Sequence, residues 1–491
     1  MEFLLKVVQT INAYLSDYIL IFLLVAVGLF YSIKTRFVQV RCFGEGMRNV
    51  FGKIKLNGGK QKGGLSSFQA LATAVAAQVG TGNIVGASGA ILVGGPGAIF
   101  WMWIIAFLGM ATIYSEAVLA QKTKVTDENG EVEGGPIYYI RTAFKGNFGK
   151  FLAGFFAVAA IIALGFVGAM VQSNSIAENF ANVFASWGVE AGFTVGSLEL
   201  NWVMIIVGAI VAAFAGIVLI GGTQRLASVT EKIVPIMACL YLVGGLFVLA
   251  VNIVNVPSAI GMIFKYAFMP QAIIGGAFGA AIKAAISQGA KRGLFSNEAG
   301  MGSTPHAHAL ANVKDPHEQG TVAMIGLFID TFVVLTMTAL IVISTLYHDG
   351  TITVDGAIEG VSKANMVQVA FSSTFAKLFG ATAGATIGGI FVSICLFFFA
   401  FSTILSWNFF GKVNFAHLFG KKSILVYSII AVAFVFLGSI FKNDLVWELT
   451  DMFNNLMVIP NAIALFALSA MVVSAVKGKK NSKAEKSVVE D

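Results

Sequence analysis

The chain has 491 residues, of which 57% are hydrophobic and only 12% are Asp, Glu, Lys or Arg, with a formal net charge of +7. An ordinary soluble chain carries about 25% charged residues, so this one cannot cover the surfaces of the several soluble domains that its length would suggest. A soluble enzyme, a disordered scaffold and a nucleic-acid binder are thereby excluded as its primary nature, and the 54 Gly and 43 Phe supply the small and bulky apolar residues of packed membrane helices.

A membrane-crossing helix needs about 20 mainly apolar residues. Eleven segments qualify, at roughly 17–35, 66–92, 96–121, 149–184, 201–221, 224–252, 270–290, 316–346, 381–411, 424–440 and 444–476. The predicted class is an all-α polytopic membrane protein without strands, because a membrane barrel would alternate in segments of about ten residues. The first apolar run, preceded by acidic Glu2 and with no small-residue cleavage site before a polar region, reads as a retained helix and not as a signal peptide.

Between the first two spans lie Lys34, Arg36, Arg41, Arg48, Lys53, Lys55, Lys60 and Lys62 against one acid, Glu45. Taking that side as cytoplasmic places 26 basic residues there. Five lie opposite, namely Lys6, Lys265, Lys363, Lys377 and Lys442, and Lys283 falls inside a span. This asymmetry predicts an external N-terminus and a cytoplasmic C-terminus. Val256–Met269 and Asn365–Phe379 read as short amphipathic helices on the outer surface. Arg41–Leu56 reads as a cytoplasmic counterpart with Val50, Phe51 and Ile54 on its apolar face. The polar tail from Lys477 is expected to be disordered. Cys42, Cys239 and Cys395 are far apart and read as spectators, not as a disulfide or a metal site.

The second span is interrupted by Ala76-Ala77-Gln78-Val79-Gly80-Thr81-Gly82-Asn83. Gly permits non-helical backbone, and a helix opened there frees N–H and C=O groups that membrane depth tolerates only where protein or a polar cavity satisfies them. A half-helix N-terminus then aims N–H groups at an anion, while C-terminal carbonyls can hold a cation. Close helix packing is the plainer use of Gly80 and Gly82. A second candidate break, Gly275-Gly276-Ala277-Phe278-Gly279, opens the seventh span. It lies five spans later and therefore crosses in the opposite direction, as in an inverted repeat of five helices plus five behind one extra helix.

In the ninth span, Phe399-Ala400-Phe401-Ser402-Thr403 places two hydroxyls in an aromatic run. They can ligate a hard cation such as sodium, or merely bond back to a helix carbonyl. Gln172, midway along the fourth span, can reach a ligand carboxylate or make an ordinary interhelical bond. Of the ionisable residues near membrane depth, Lys283 and Asp330 suggest an ion pair, and Glu116 lies near enough to a span end to be wet. Pro305-His306-Ala307-His308 has the wrong spacing for a zinc set, so a solvated or capping role is expected. No Walker-type loop is present, which disfavours an ATP-driven pump.

The run Gly94-Gly95-Pro96-Gly97-Ala98-Ile99-Phe100-Trp101-Met102-Trp103 through Gly109 resembles the signature of the alanine or glycine:cation symporters. So do Gly80–Gly86, Gly134-Gly135-Pro136-Ile137-Tyr138-Tyr139 and Phe295-Ser296-Asn297-Glu298-Ala299-Gly300-Met301-Gly302-Ser303, and the likeness runs from about residue 15 to 475. The resemblance implies a fold like the bacterial leucine transporter and sodium-driven uptake of small neutral amino acids, alanine or glycine, across a prokaryotic plasma membrane. The runner-up is a proton-coupled carrier of the same fold; a channel lacks the charged ring or repeated carbonyl filter it would need. Alanine, glycine, serine and glutamine all remain candidates. No cofactor, nucleic acid or obligate protein partner is expected, only the amino acid, sodium and the bilayer.

Carried over by position, the resemblance implies that backbone of Gly80, Thr81 and Gly82 receives the carboxylate, with Asn83 beside it. Carbonyls near Gln78 and in Gly275, Gly276, Ala277 and Phe278, with Gln172 as a side-chain partner, would complete the substrate site. The sodium shell would take carbonyls of Ala76, Val79 and Phe399 and the hydroxyls of Ser402 and Thr403. Glu298 belongs to a shared motif without an assigned role. The implied organisation is an extra helix and basic segment at 1–65, a first repeat at 66–252, a second repeat with surface helices at 253–476 and a tail at 477–491.

Overall fold

A computed structural model describes residues 2–52, 64–128, 130–189, 191–195, 198–269, 278–353, 356–357, 359–441 and 444–476. Helix α1 (Phe3–Lys34) begins fourteen residues before the predicted first span. A short amphipathic helix, α2 (Phe43–Phe51), follows in the basic segment. There Val50 turns inward and Phe51 outward, so the two do not share one face, and Ile54 lies outside the described residues. Helices α3 (Ser67–Gln78) and α4 (Gly82–Gly94) form one span bent by 44°. Next come α5 (Gly97–Thr123), α6 (Pro136–Ala143), α7 (Gly146–Ser186), α8 (Trp202–Ile220) and α9 (Gly222–Val251).

The second half holds α10 (Val256–Phe268), α11 (Phe278–Asn297), α12 (Pro305–Ala309), α13 (Pro316–Tyr347), α14 (Met366–Phe379), α15 (Ala381–Phe419) and α16 (Ile424–Ile440). It ends in α17 (Asp444–Ala467) and α18 (Ser469–Val476), a pair bent by 61°. Among the described residues eight helices are long and apolar enough to cross a membrane, ten when each bent pair counts as one crossing. The predicted seventh span falls in part on α11, its residues 270–277 lying outside the described residues, and Lys283, Lys291 and Arg292 leave that helix too polar to enter the count. Strands, not expected at all, occur as three two-stranded antiparallel ribbons in the connections, Val125–Thr126 with Val132–Glu133, Gly192–Val195 with Leu198–Asn201, and Ile352–Thr353 with Gly356–Ala357.

Local chemistry sets the helix ends. Ser66 and Gln69 form a reciprocal capping box at 3.1 Å each way and start α3. Asn201 caps α8 through the N–H groups of Val203 and Met204, and Asp315 caps α13 through His317. Gly380 and Gly420 bracket α15 with left-handed φ of 83° and 81°. On α8, Ile206, Ile210, Phe214 and Ile217 recur at helical spacing and are all exposed. Such an apolar outer stripe suits lipid, whereas α5, α7, α13 and α15 bury most of their length at the centre.

Lys291 and Arg292 of α11 both pair with Asp451 of α17 at 3.2 Å. Arg292 also lies over the Trp447 ring, as does Lys363 of the opposite set.

Candidate functional site

Helix α3 ends at Gln78 because Val79 leaves helical geometry, with φ −81° and ψ 88°. The freed groups are met by side chains. Gly80 N–H donates to Asn83 Oδ1 at 3.0 Å, and Thr81 N–H donates to Gln172 Oε1 at 3.1 Å. Asn83 Nδ2 donates in turn to Asp330 Oδ1 at 2.7 Å. Thr81 Oγ1 is buried and has no hydrogen-bond partner among the described residues. Gly is needed at both flanking positions for space as well: a Cβ on Gly80 would collide with Thr403, and one on Gly82 would stand 2.9 Å from Ser296 Cα. Packing and opening, weighed as rivals in the sequence, act together.

Directly behind the break lies a cluster of four oxygens. Thr403 Oγ1 lies within donating reach of Ala76 O at 2.9 Å and Phe399 O at 3.0 Å, while Ser402 Oγ lies 2.9 Å from Phe399 O and 3.4 Å from Ala76 O. The hydroxyls do bond back along α15, and at the same time they reach across to α3. All four residues are fully buried, and Met237 Sδ lies 3.5 Å from Ser402 Oγ as a weak acceptor. Neutral oxygens gathered around one point are the donor set a hard cation takes. Val79 adjoins the cluster in sequence, and its altered ψ rotates its carbonyl away from the helix axis.

A second interruption is observed away from the glycines of the predicted seventh span. Gly275, Gly276 and Ala277 lie outside the described residues, and Phe278 opens a continuous 20-residue helix. At 1.5 Å per residue, Phe278 stands about 30 Å from the far end of that helix. The observed interruption runs between Asn297, where α11 ends, and Pro305, where α12 begins. Glu298, Gly300 and Gly302 adopt left-handed φ of 59°, 88° and 81° there, which for a non-glycine residue such as Glu298 costs about 1–2 kcal/mol.

The two broken segments run antiparallel side by side. Leu65, before α3, exchanges backbone bonds with Leu310 and Asn312 beyond α12, while Gly94 at the end of α4 packs against Ala285 and Gln288 of α11. They touch at mid-length, where Gln78 Nε2 donates to Asn297 O at 2.7 Å. The sequence singled out the stretch around Glu298 as a shared motif only; its Gly-Met-Gly spacing was the available sign of left-handed backbone.

Three fully buried carboxylates hold these breaks in place. Glu116 accepts from Asn461 Nδ2 at 2.6 Å and from Gly300 N–H at 3.2 Å. Glu298 accepts from the Ser303 hydroxyl and the Trp407 indole. Asp330 accepts from Asn83, Ser296 and Thr331. Two expectations fall here. Glu116 is enclosed, not wet, because the chain turns back over it at Gly300. Asp330 does not pair with Lys283, whose exposed ammonium lies 3.2 Å from Asp17 Oδ2. His306 is also buried, its Nδ1 at Ser303 O (2.7 Å) and its Nε2 at Asn414 (2.9 Å), so it braces the break and is not solvated.

A cavity of about 810 Å³ opens from the surface toward this region, lined among others by Leu65, Glu133, Tyr138, His306, Phe409 and Lys421. At its mouth Lys421 bridges Asp127, Glu131 and Glu133. Burial pushes the Glu133 carboxyl up, but hydrogen bonds from Lys421 and Tyr138 outweigh it and hold that carboxyl below its ordinary range.

Comparison with known proteins agrees with this arrangement. The chain is 39% identical over 475 residues to the "Sodium/alanine symporter AgcS" of Methanococcus maripaludis, covering 96% of each chain. It is 38% identical to the "Putative sodium/proton-dependent alanine carrier protein YrbD" and 37% identical to the "Probable sodium/glutamine symporter GlnT", both of Bacillus subtilis. Each match spans 480 residues, 97% of this chain, and 92% and 91% of those relatives. Among solved structures, MhsT in complex with L-phenylalanine superposes with a TM-score of 0.57 at 13% identity, over 85% of this chain and 96% of that one, a likeness of fold. The model of the sodium:alanine symporter family matches residues 1–490. A multi-pass helical chain with two facing broken helices, matched along its whole length in this way, is a transporter and not an enzyme, and it belongs to the sodium:alanine symporter family.

Proposed function

We propose that the chain takes up a small neutral amino acid, alanine or glycine, together with sodium, by alternating access across a prokaryotic plasma membrane, with its N-terminus outside and its C-terminus in the cytoplasm. The observation that carries this reading is the cluster of Ala76 O, Phe399 O, Ser402 Oγ and Thr403 Oγ1 set directly against the opened backbone at Gly80 and Thr81. A sodium ion there takes lone pairs from oxygens on both α3 and α15, with Val79 O as a further ligand. Binding therefore fixes the end of α3 in the geometry that presents the Gly80, Thr81 and Gly82 N–H groups. The substrate carboxylate takes those N–H groups at the positive end of α4, with Gln172 alongside and Asn83 holding the turn. The ammonium faces carbonyls near Gln78 and Asn297, the latter in place of Gly275–Phe278. Because both ligands act on the same opened end of α3, each strengthens the binding of the other.

The antiparallel pairing of two broken spans, five predicted spans apart, supports a five-plus-five inverted repeat, 66–252 and 253–476, behind the extra helix at 1–65. The narrow space at Gly80 and Gly82 favours a small side chain. A proton-coupled carrier is the second reading, and the buried Glu116, Glu298 and Asp330 are the observation in its favour. Proteoliposomes separate the two. An imposed sodium gradient is expected to drive alanine above its equilibrium level; accumulation driven by a pH gradient with sodium absent would overturn sodium coupling.

A further inference from the structure

A second metal-binding constellation lies away from the transport site, where three elements meet beside the basic segment. Cys42 stands just ahead of α2, Glu45 is in the first turn of α2 and His317 is in the first turn of α13. One ligand atom from each, a sulfur, a carboxylate oxygen and an imidazole nitrogen, lies within 4.8 Å of the other two. His317 Nε2 and Glu45 Oε2 are 3.6 Å apart, beyond hydrogen-bond length. Adjacent ligands of a tetrahedral zinc ion are separated by about 3.3–3.7 Å, as follows from bonds of 2.0–2.3 Å.

The imidazole is prepared as a ligand would be. The His317 side chain is 2% exposed, and its Nε2 has no hydrogen-bond partner among the described residues. A buried nitrogen left so is costly unless something else meets it. Its other nitrogen, Nδ1, lies 2.5 Å from the Tyr114 hydroxyl of α5, the kind of outer contact that fixes ring orientation in metal-bound histidines. Two neighbouring charged side chains are engaged elsewhere. Arg41 turns its guanidinium to the carbonyls of Thr35 and Arg36, and Asp315 accepts from the His317 backbone N–H.

We propose that Cys42, Glu45 and His317 bind a divalent transition-metal ion of borderline softness, Zn²⁺ foremost, with water as the fourth ligand. Thiolate, carboxylate and neutral imidazole together match the charge and the softness of such an ion. The metal fastens α2 to the start of α13 and, through Tyr114, to α5. It is a tie at the edge of the bundle, distinct from the neutral-oxygen cluster at Ser402 and Thr403.

The test is a titration of the purified full-length protein with Co²⁺, followed by displacement with Zn²⁺. About one Co²⁺ per chain is expected, with intense visible bands of tetrahedral geometry and a sulfur-to-cobalt absorption in the near ultraviolet that Zn²⁺ abolishes. C42S removes the sulfur band. E45Q, at a side chain 22% exposed, weakens binding while leaving that band in place. Y114F acts through the imidazole and weakens binding about 10–100-fold. Absence of stoichiometric binding by the unmodified protein, or a spectrum without the sulfur band that persists in C42S and E45Q, would overturn the site.

Discussion

The two broken spans solve one problem in opposite ways. The first, at Val79–Thr81, is short, contains no left-handed residue, and has its freed N–H groups met by single side-chain oxygens from Asn83 and Gln172. The second, between Asn297 and Pro305, holds three left-handed residues and is tied down by two buried carboxylates, an indole, a histidine and Asn461. A backbone held by one exchangeable acceptor can release it to a ligand. A strained backbone over-determined by its surroundings cannot move without losing several bonds at once. The first break therefore reads as the place that binds, and the second as the frame against which it binds.

The largest expected effect breaks the frame. Glu298→Ala leaves the Ser303 hydroxyl and the Trp407 N–H without their acceptor. At about 1–3 kcal/mol for each orphaned buried donor, the loss is about 2–6 kcal/mol, enough to threaten a marginally stable fold. Thermal unfolding of the detergent-purified protein should show a steep fall in midpoint. Glu298→Gln keeps one acceptor oxygen and should fall less. Normal stability with abolished transport would reverse the comparison, making this break the working part.

Removing an ion ligand should do the opposite, sparing the fold and harming the function. Ser402→Ala and Thr403→Ala each delete one neutral oxygen and add no charge. The apparent sodium affinity should drop by about 1–3 kcal/mol per ligand, or five- to 150-fold, judged from the cost of an unmade buried polar contact. Amino-acid binding should weaken at low sodium and recover at high sodium, as linked sites require. Unchanged sodium dependence in the double variant would remove the ion from this cluster.

What the sequence showed follows from what each signal depends on. Apolar runs made most helices legible, because crossing length and hydropathy are local properties. The first break was legible too, since two Gly around a Thr beside two amides are rare in a span. The interruption between Asn297 and Pro305 was not singled out as a break, and Gly275 and Gly276, which drew the eye instead, lie outside the described residues. Glu298, a non-glycine at φ 59°, gives no local sign of left-handed backbone. The pairing of Asp330 with Asn83, Ser296 and Thr331 instead of Lys283 was likewise invisible, because it depends on how α11 packs against α4 and α13. Cys42, Glu45 and His317 are separated by 275 positions from first to last, so no spacing rule could join them.

The finest test of the first break is Gln172, whose Oε1 accepts the Thr81 N–H at 3.1 Å. If this side chain joins the carboxylate site when substrate enters, Gln172→Ala removes one contact from the bound state. An ordinary buried hydrogen bond contributes about 0.5–1.5 kcal/mol, so the KM for alanine at saturating sodium should rise about two- to twelvefold with little change in thermal stability. Gln172→Glu discriminates further. A carboxylate at this position would hold the Thr81 N–H against the substrate's own carboxylate and repel it, so the rise in KM should exceed that of the alanine variant. A fall in KM for Gln172→Ala would mean that the amide only occupies the N–H that the substrate needs, and that the ligand displaces it without gaining a partner.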